Sequence, residues 1–596
     1  MHDCLLLPDI FQRILDFVEV EVPDRFYASH NQDHWKNGSL ARLARTCRVF
    51  HEPALNALWK HQTTLAPLVR TLPEDAWIER SSRIPSPYVE SDTIIDELTM
   101  IRPLTSSDWT RFEYYAHRIK SLGYFDFEYA DQESDIWAHH SYAYCGSPVD
   151  RSIIHQLALH RRKHWLLPNL VRLRWTIHDD AYTEYLPLFL GPQLRTLAIG
   201  FSDTWLEPDE CEPGALRSVL KTLPAICPLL TQIEIYPEQD ISVVKAAVQL
   251  SSAYENLEGF HVNTMPWTRM HQDLVDDLSK KSCLRKVWLS LDEDTVATLQ
   301  SLWKANAYPF SSLSTLGLNV PRLRDGTAFL KLLGHCRLFS IIVDIEQGPA
   351  AADVYDFYSS LHLHCARETL HVCRIHQDSV NPSEDEVPLD MQDRIEMAEL
   401  APALHFPHLR YFILDVPLLN CLVDEDLMRM ADAWPGLIAF SLMGGWRSFS
   451  TCSVTWKGVG YMVTRCPQMY DIKITFDPSS DNVDELVRMP GFRPNRWLRF
   501  FDVLDSPLPN DAEHFARSLV AVAPRVVRVD AMDTPDDDMY ESIKVDPFAF
   551  CEQVDILMCH LRKMYMSDVY DAFAFELGED IVRDLDDERL KFMLWT

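Results

Sequence analysis

One spacing recurs through most of this chain of 596 residues. It is an apolar residue, two of any kind, an apolar residue, one of any kind, and a third apolar residue. It reads LVRLRW from Leu170, LRTLAI from Leu194, LTQIEI from Leu230, LEGFHV from Leu257 and LRKVWL from Leu284. It continues as LSTLGL from Leu313, LFSIIV from Leu338, LRYFIL from Leu409, LIAFSL from Leu437 and MYDIKI from Met469. Weaker copies start at Leu370, Leu498 and Val526, and an early one at Ile119. From Leu170 to Val526 the mean period is about 30 residues, long enough for one supersecondary unit per copy. The alternation that ends each copy is that of a strand, whose side chains point to opposite faces in turn.

Between the copies lie amphipathic helical stretches: Gly214–Leu223, Ile241–Leu250, Asp294–Trp303 and Asn510–Leu519. Several are followed by Cys-Pro, Phe-Pro, Trp-Pro or Ala-Pro just before the next strand, where proline ends the helix and opens the turn. One strand and one helix per repeat argue a right-handed α/β solenoid of parallel strands. The unit resembles the leucine-rich repeat in degenerate form. That family places Asn or Cys at the ninth position of the unit. Here the position holds His178, Ser202, Glu238, Met265, Asp292 and Pro321. The side-chain ladder is therefore absent, and irregular curvature is expected.

The first 61 residues read differently. Pro8 fits the first position of a helix, where its missing N–H costs nothing. Ile10, Phe11, Ile14, Leu15, Phe17 and Val18 come next at three- and four-residue spacing and form one apolar stripe. Leu40, Leu43, Ala44, Cys47, Val49 and Phe50 give a second helix, and Pro53 starts a third through Leu55, Leu58 and Trp59. Periodicity alone describes a small three-helix bundle with no partner. The order of residues adds more: Leu-Pro, two apolar pairs, then Leu-Ala, Cys-Arg-x-Phe, Pro-Ala-Leu and Leu-Trp. It resembles an F-box, of the fungal F-box-like type. The resemblance implies docking on a Skp-type adaptor, and through it on a cullin ubiquitin ligase. It places Leu7, Pro8, Ile10, Phe11, Ile14 and Leu15 of the first helix on the adaptor, with Leu43, Cys47 and Phe50 from the second signature. Trp59 would anchor the module to the next domain. The segment 19–38 is a polar insert longer than the usual link.

Composition narrows the function classes. The chain carries 56 Lys and Arg against 88 Asp and Glu, a formal charge of −32. Such a field repels phosphate backbones and anionic lipid, so neither nucleic acid nor a membrane is an expected partner. From Asp530 to Thr596 there are eighteen Asp and Glu against six Lys and Arg, read as a solvated face. No apolar run approaches the roughly 20 residues of a membrane span. The start of the sequence does not read as a secretory signal. Fourteen cysteines without a CxxC pair indicate neither a zinc ribbon nor a disulfide framework, which fits a cytoplasmic or nuclear protein.

No catalytic motif stands out. His362, His364, Cys365, His371, Cys373 and His376 crowd fifteen residues, but their spacing fits no structural-zinc pattern. No HExxH, GxSxG or GxxxxGK[ST] occurs. No enzyme activity, metal or cofactor is expected. The interleaved residues of the strands would instead line an extended concave face that binds a protein target. They include Arg174, Tyr236, His261, Lys286, Trp288, Asn319, Arg374 and Tyr411, with Trp288 expected to be exposed beside Lys286. The expected organisation is an F-box module at 1–61, a linker and first irregular repeats at 62–168, the repeat solenoid at 169–545 and an acidic cap at 546–596. With the resemblance, this reads as the substrate-recruiting subunit of an SCF-type ligase. A non-catalytic scaffold without a ligase role and a small-ligand-sensing repeat protein are the alternatives.

Overall fold

The computed structural model describes residues 10–15, 33–84, 93–123, 149–177, 180–201, 213–238, 241–264, 270, 272–303, 309–377, 394–443, 453–479, 483–488, 492–504, 506–509, 511–531, 549–551 and 553–558. They fall into two compact units. One runs from the start to Ser290 and also holds Phe310–Ser312; the other holds Leu291–Pro309 and the chain from Leu313. Each is a mixed α/β array of parallel strands.

Among the described residues the first unit has seven such strands in sequence order: His61–Gln62, Ser121–Leu122, Arg172–Ile177, Thr196–Phe201, Gln232–Glu238, Gly259–Thr264 and Lys286–Ser290. Among the described residues the second has eight in its main sheet, Thr315–Val320, Ser340–Ile345, Val372–Gln377, Tyr411–Asp415, Ala439–Met443, Asp471–Ile474, Phe500–Asp502 and Arg528–Asp530, besides a short parallel pair, Arg394–Ile395 with Leu419–Asn420. Every copy of the repeated spacing, the weak ones included, heads a strand that begins two residues later. The first residue of each of the thirteen copies from Leu170 to Val526 is at most 4% exposed, so it is a core anchor. The first strand was not anticipated, and an antiparallel pair, Trp77–Ile84 with Thr93–Met100, falls between the first two in sequence and forms a separate sheet. The four amphipathic stretches correspond to helices Pro213–Ile226, Ile241–Ser252, Glu293–Leu302, which Trp303 ends, and Ala512–Val522, before which Asn510 lies outside the described residues. Cys227, Trp434, Cys466 and Ala523, each followed by proline, stand immediately after the last residue of a helix.

The backbone explains how so degenerate a sequence keeps its register. At the second position of a unit one carbonyl takes two N–H donors from the next. Thr231 O accepts from Glu258 N at 2.8 Å and Gly259 N at 3.0 Å. His371 O does the same for Arg410 N and Tyr411 N at 2.8 and 3.0 Å. Because backbone groups do the bonding, no particular side chain is required there. Of the ninth-position residues, Asp292 caps helix Glu293–Leu302, its side chain accepting from Thr295 N at 2.8 Å.

One buried carboxylate does similar work. Asp424 accepts from Thr455 N (2.7 Å), Thr455 Oγ1 (2.7 Å) and Gly458 N (3.0 Å), satisfying the start of helix Trp456–Arg465 from the neighbouring helix. A Cβ at Gly458 would lie 2.5 Å from the Asp424 carboxylate, which gives that glycine its reason. Asp424→Ala is expected to cost about 2–3 kcal/mol in urea unfolding. A loss below the scatter of such measurements would show that the carboxylate does not hold the helix start.

The N-terminal helices form a core of their own. Residues 10–15, Asp33–Ala44 and Arg48–Lys60 bury Phe11, Leu15, Leu40, Ala44, Phe50, Ala54, Leu55 and Ala57 together. The second helix ends earlier than expected. The chain turns at Arg45–Cys47, Val49 and Phe50 belong to the third helix, and Pro53 lies inside that helix rather than at its start. The insert read at 19–38 is helical from Asp33; its residues 19–32 lie outside the described part. Trp59 stacks on Tyr115 at 4.3 Å, and Arg118 pairs with Glu52 at 2.7 Å. These contacts join the module to helix Trp109–Ala116.

Candidate functional site

Two surfaces carry the candidate residues. The first is the N-terminal module. The nine residues assigned to adaptor docking do not share one surface. Phe11 (5% exposed), Leu15 (0%) and Phe50 (5%) are core, with Phe11 and Phe50 stacked at 4.2 Å. These three are corrected: a helix this short is held only by burying its strongest apolar side chains against its neighbours. Leu43 and Cys47 pack partly against that core. Ile14 is half-buried, Ile10 is 39% exposed, and Val49, which sequence reasoning placed in a helix stripe, is 55% exposed. Leu7 and Pro8 lie outside the described residues.

The second surface is the face of the parallel strands formed by interleaved residues. In the first unit the register aligns Arg174, Ala198, Glu234, His261 and Trp288. The Arg174 guanidinium lies 3.7 Å from Glu234, and the His261 ring stacks flat on Trp288 at 4.5 Å. Lys286 is half-buried in the neighbouring row. The register of Trp288 is as read, because Val287 aligns with core Phe260 and Trp288 with His261. Its exposure is not: Trp288 is 6% exposed. Asn319, Arg374 and Tyr411 are likewise buried, at 5–6%. Strands only about 4.8 Å apart let large side chains on one face shade one another. Tyr236 lies in its strand as expected, but its side chain is outside the described ones.

In the second unit the interleaved residues are largely polar. Arg374, Ile413, Ser441, Lys473, Asp502 and Asp530 align in one row, and Asn319, Asp344, His376, Asp415 and Met443 in the next. Ser441 Oγ donates to Asp415 Oδ1 at 2.5 Å, and His376 Nδ1 lies 3.8 Å from Asp415 Oδ2. Burial alone would raise the Asp415 carboxyl, but His376, Ser441 and Lys473 outweigh it and hold it below the usual range. Lys473 Nζ lies 4.0 Å from Asp502.

Asp471 is one row away. It is 8% exposed, and its Oδ1 has no hydrogen-bond partner among the described residues. Burial pushes its carboxyl up to about 7; Lys473 opposes the rise and Asp502, Asp530 and Asp415 add to it. A carboxyl raised on folding is held protonated by the fold, so it withdraws stability as pH rises from its unfolded to its folded value. Asp471→Asn should therefore match the parent near pH 4 and exceed it increasingly to about pH 7, by on the order of 2–4 kcal/mol, then stay level. A constant difference across that range, followed by chemical unfolding, would show that Asp471 is not so perturbed.

Ser441, Lys473, Asp471 and Asp502 were missed in the sequence, although they occupy interleaved positions in the copies from Leu437, Met469 and Leu498. The alternation that named Arg374 names them too. The His and Cys cluster divides. Cys373 aligns with core Ile341 and Phe412, His376 faces the opposite side beside Asp415, and His362 packs on His405 at 4.3 Å.

The structure defines a class: a repetitive parallel α/β protein preceded by a small helical module. No family model matches the sequence, and no curated protein matches it. Among solved structures, the crystal structure of a Rad7 and Elc1 complex in yeast is similar at 12% identity, over 66% of this chain and 85% of that one, with a TM-score of 0.32. That likeness is too slight to bear on function. Among the described residues no helix is long and apolar enough to cross a membrane.

Proposed function

We propose that the chain is the substrate-recruiting F-box-type subunit of a cullin ubiquitin ligase, acting in the cytoplasm or nucleus. The N-terminal helices would dock on a Skp-type adaptor, and the strand face of the repeats would hold a protein target. The observation that carries this reading is the N-terminal module itself. It closes a separate core, joins the first repeats through Trp59 and Arg118, and leaves apolar Ile10 and Val49 facing out. No catalytic residue is needed in this role. Holding a target near a ubiquitin-carrying enzyme raises its effective concentration.

The test is co-purification of the full chain with a Skp-type adaptor and cullin, repeated with Ile10 and Ile14 both changed to Asp. Burying two charges at the contact costs roughly 3 kcal/mol or more, so adaptor binding should fall at least about a hundredfold. Melting should change little, since neither side chain is fully buried. Adaptor capture unaffected by the double variant would remove the docking assignment. Leu15→Asp is the contrasting control, and it should unfold the module.

A further inference from the structure

Among the described residues, one buried carboxyl oxygen on the last four strands of the second unit, Asp471 Oδ1, has no hydrogen-bond partner. Asp471 is more than nine-tenths buried, and its Oδ1 is unsatisfied. Leaving such a group uncompensated is costly, and folds seldom do so without a reason. Its surroundings are anionic. Asp502 lies diagonally across the adjacent strand and Asp530 one strand further, at the register positions Lys473, Asp502 and Asp530 share. The nearby cations are already engaged: Arg528 Nε is 2.6 Å from Asp530, and Lys473 Nζ is 4.0 Å from Asp502. Phe500 is the direct register partner of Asp471 and is half-buried on the same face.

We propose that this end of the face binds an arginine side chain of an extended partner peptide, its guanidinium on Asp471 with Asp502 beside it and the Phe500 ring against its plane. The proposal rests on the reading of the strand face as the partner-binding surface, and it names the chemistry that face selects. Three features favour arginine. The carboxylate is recessed, so a long narrow cation reaches it better than a compact hydrated one. A guanidinium offers a planar fork of donors that matches a carboxylate. It also stacks on an aromatic ring, which Phe500 supplies. The rise of the Asp471 carboxyl toward neutral pH fits a group that gives up a proton when its cation arrives.

The test uses the full chain on peptide pools of nine residues with degenerate flanks and a fixed centre of arginine, lysine, citrulline or glutamate. Citrulline keeps the shape of arginine and removes its charge. The arginine pool should bind at least about tenfold better than the citrulline pool, the ratio expected for one charge-assisted contact. Asp471→Asn should bring arginine down to the citrulline level. Glu513→Gln should leave the preference unchanged, since Glu513 is exposed on a helix and pairs with Arg517. Asp502→Asn, at a side chain 20% exposed, should lower the preference in part and carries the test if Asp471→Asn fails to fold. Equal binding of arginine and citrulline overturns the proposal, and so does a preference that survives Asp471→Asn. The assay contains no adaptor, so its failure leaves N-terminal docking standing. Failed adaptor capture likewise leaves the arginine site standing.

Discussion

Phe412→Ala should destabilise the second unit by about 3–5 kcal/mol, the usual cost of emptying a buried aromatic site. Phe412 is 0% exposed and sits in a ring cluster, 4.8 Å from Trp434, 5.8 Å from Phe440 and 6.0 Å from Tyr358. Those partners come from the adjacent strand and from helices Ala351–His364 and Asp424–Ala433, or just past them, so the cavity opens between consecutive repeats. Where repeats touch only their neighbours, damage should spread outward from one unit. Amide exchange should therefore rise first in Val372–Gln377 and Ala439–Met443, and only later in Arg528–Asp530. Protection lost equally and at once over all eight strands would mean that the unit is one cooperative core and not an array.

Trp288→Ala should cost about 3 kcal/mol or more in thermal or urea unfolding. An exposed tryptophan at the same register would cost little. The difference comes from the flat stack on His261, and a double-mutant cycle with His261→Ala should show a coupling of about 1 kcal/mol. A Trp288→Ala protein that melts like its parent would return the indole to the surface and make it available to a partner.

These two residues show what the sequence discloses. Phe412 and the leading leucines were legible because burial imposes a period, and a period can be read without knowing the neighbours. Even the copies from Leu370, Leu498 and Val526 sit at strand starts, since three apolar positions suffice to turn a strand toward its helices. The face of Trp288 was legible for the same reason. Its exposure was not, because it depends on His261, a side chain 27 residues earlier that only the register brings alongside. The same limit applies to the N-terminal stripe. Ile10, Phe11, Ile14 and Leu15 share a spacing, yet Phe11 and Leu15 are drawn inward by Phe50 and Leu40 while Ile10 is left outside. Asp471 is the opposite case. Its position was readable from the MYDIKI copy, but nothing in that string reveals that its Oδ1 lacks a hydrogen-bond partner among the described residues. The glycines of Gly458-Val459-Gly460, unremarkable in sequence, allow a helix to close on Asp424 and Leu486.

The carbonyl that collects two amides from the next repeat has an evolutionary side. From Leu170 onward successive units run from 24 residues, Leu170 to Leu194, to 39, Leu370 to Leu409, yet the strands at both places pair in unbroken parallel register. Main chain grips main chain at one fixed point per turn, so material added or deleted elsewhere in the turn does not move that point. A lineage built this way can lengthen, shorten and rewrite its loops, and with them the rim of the strand face, while the framework stays in step. Very different sequences can then keep one framework while their loops diverge.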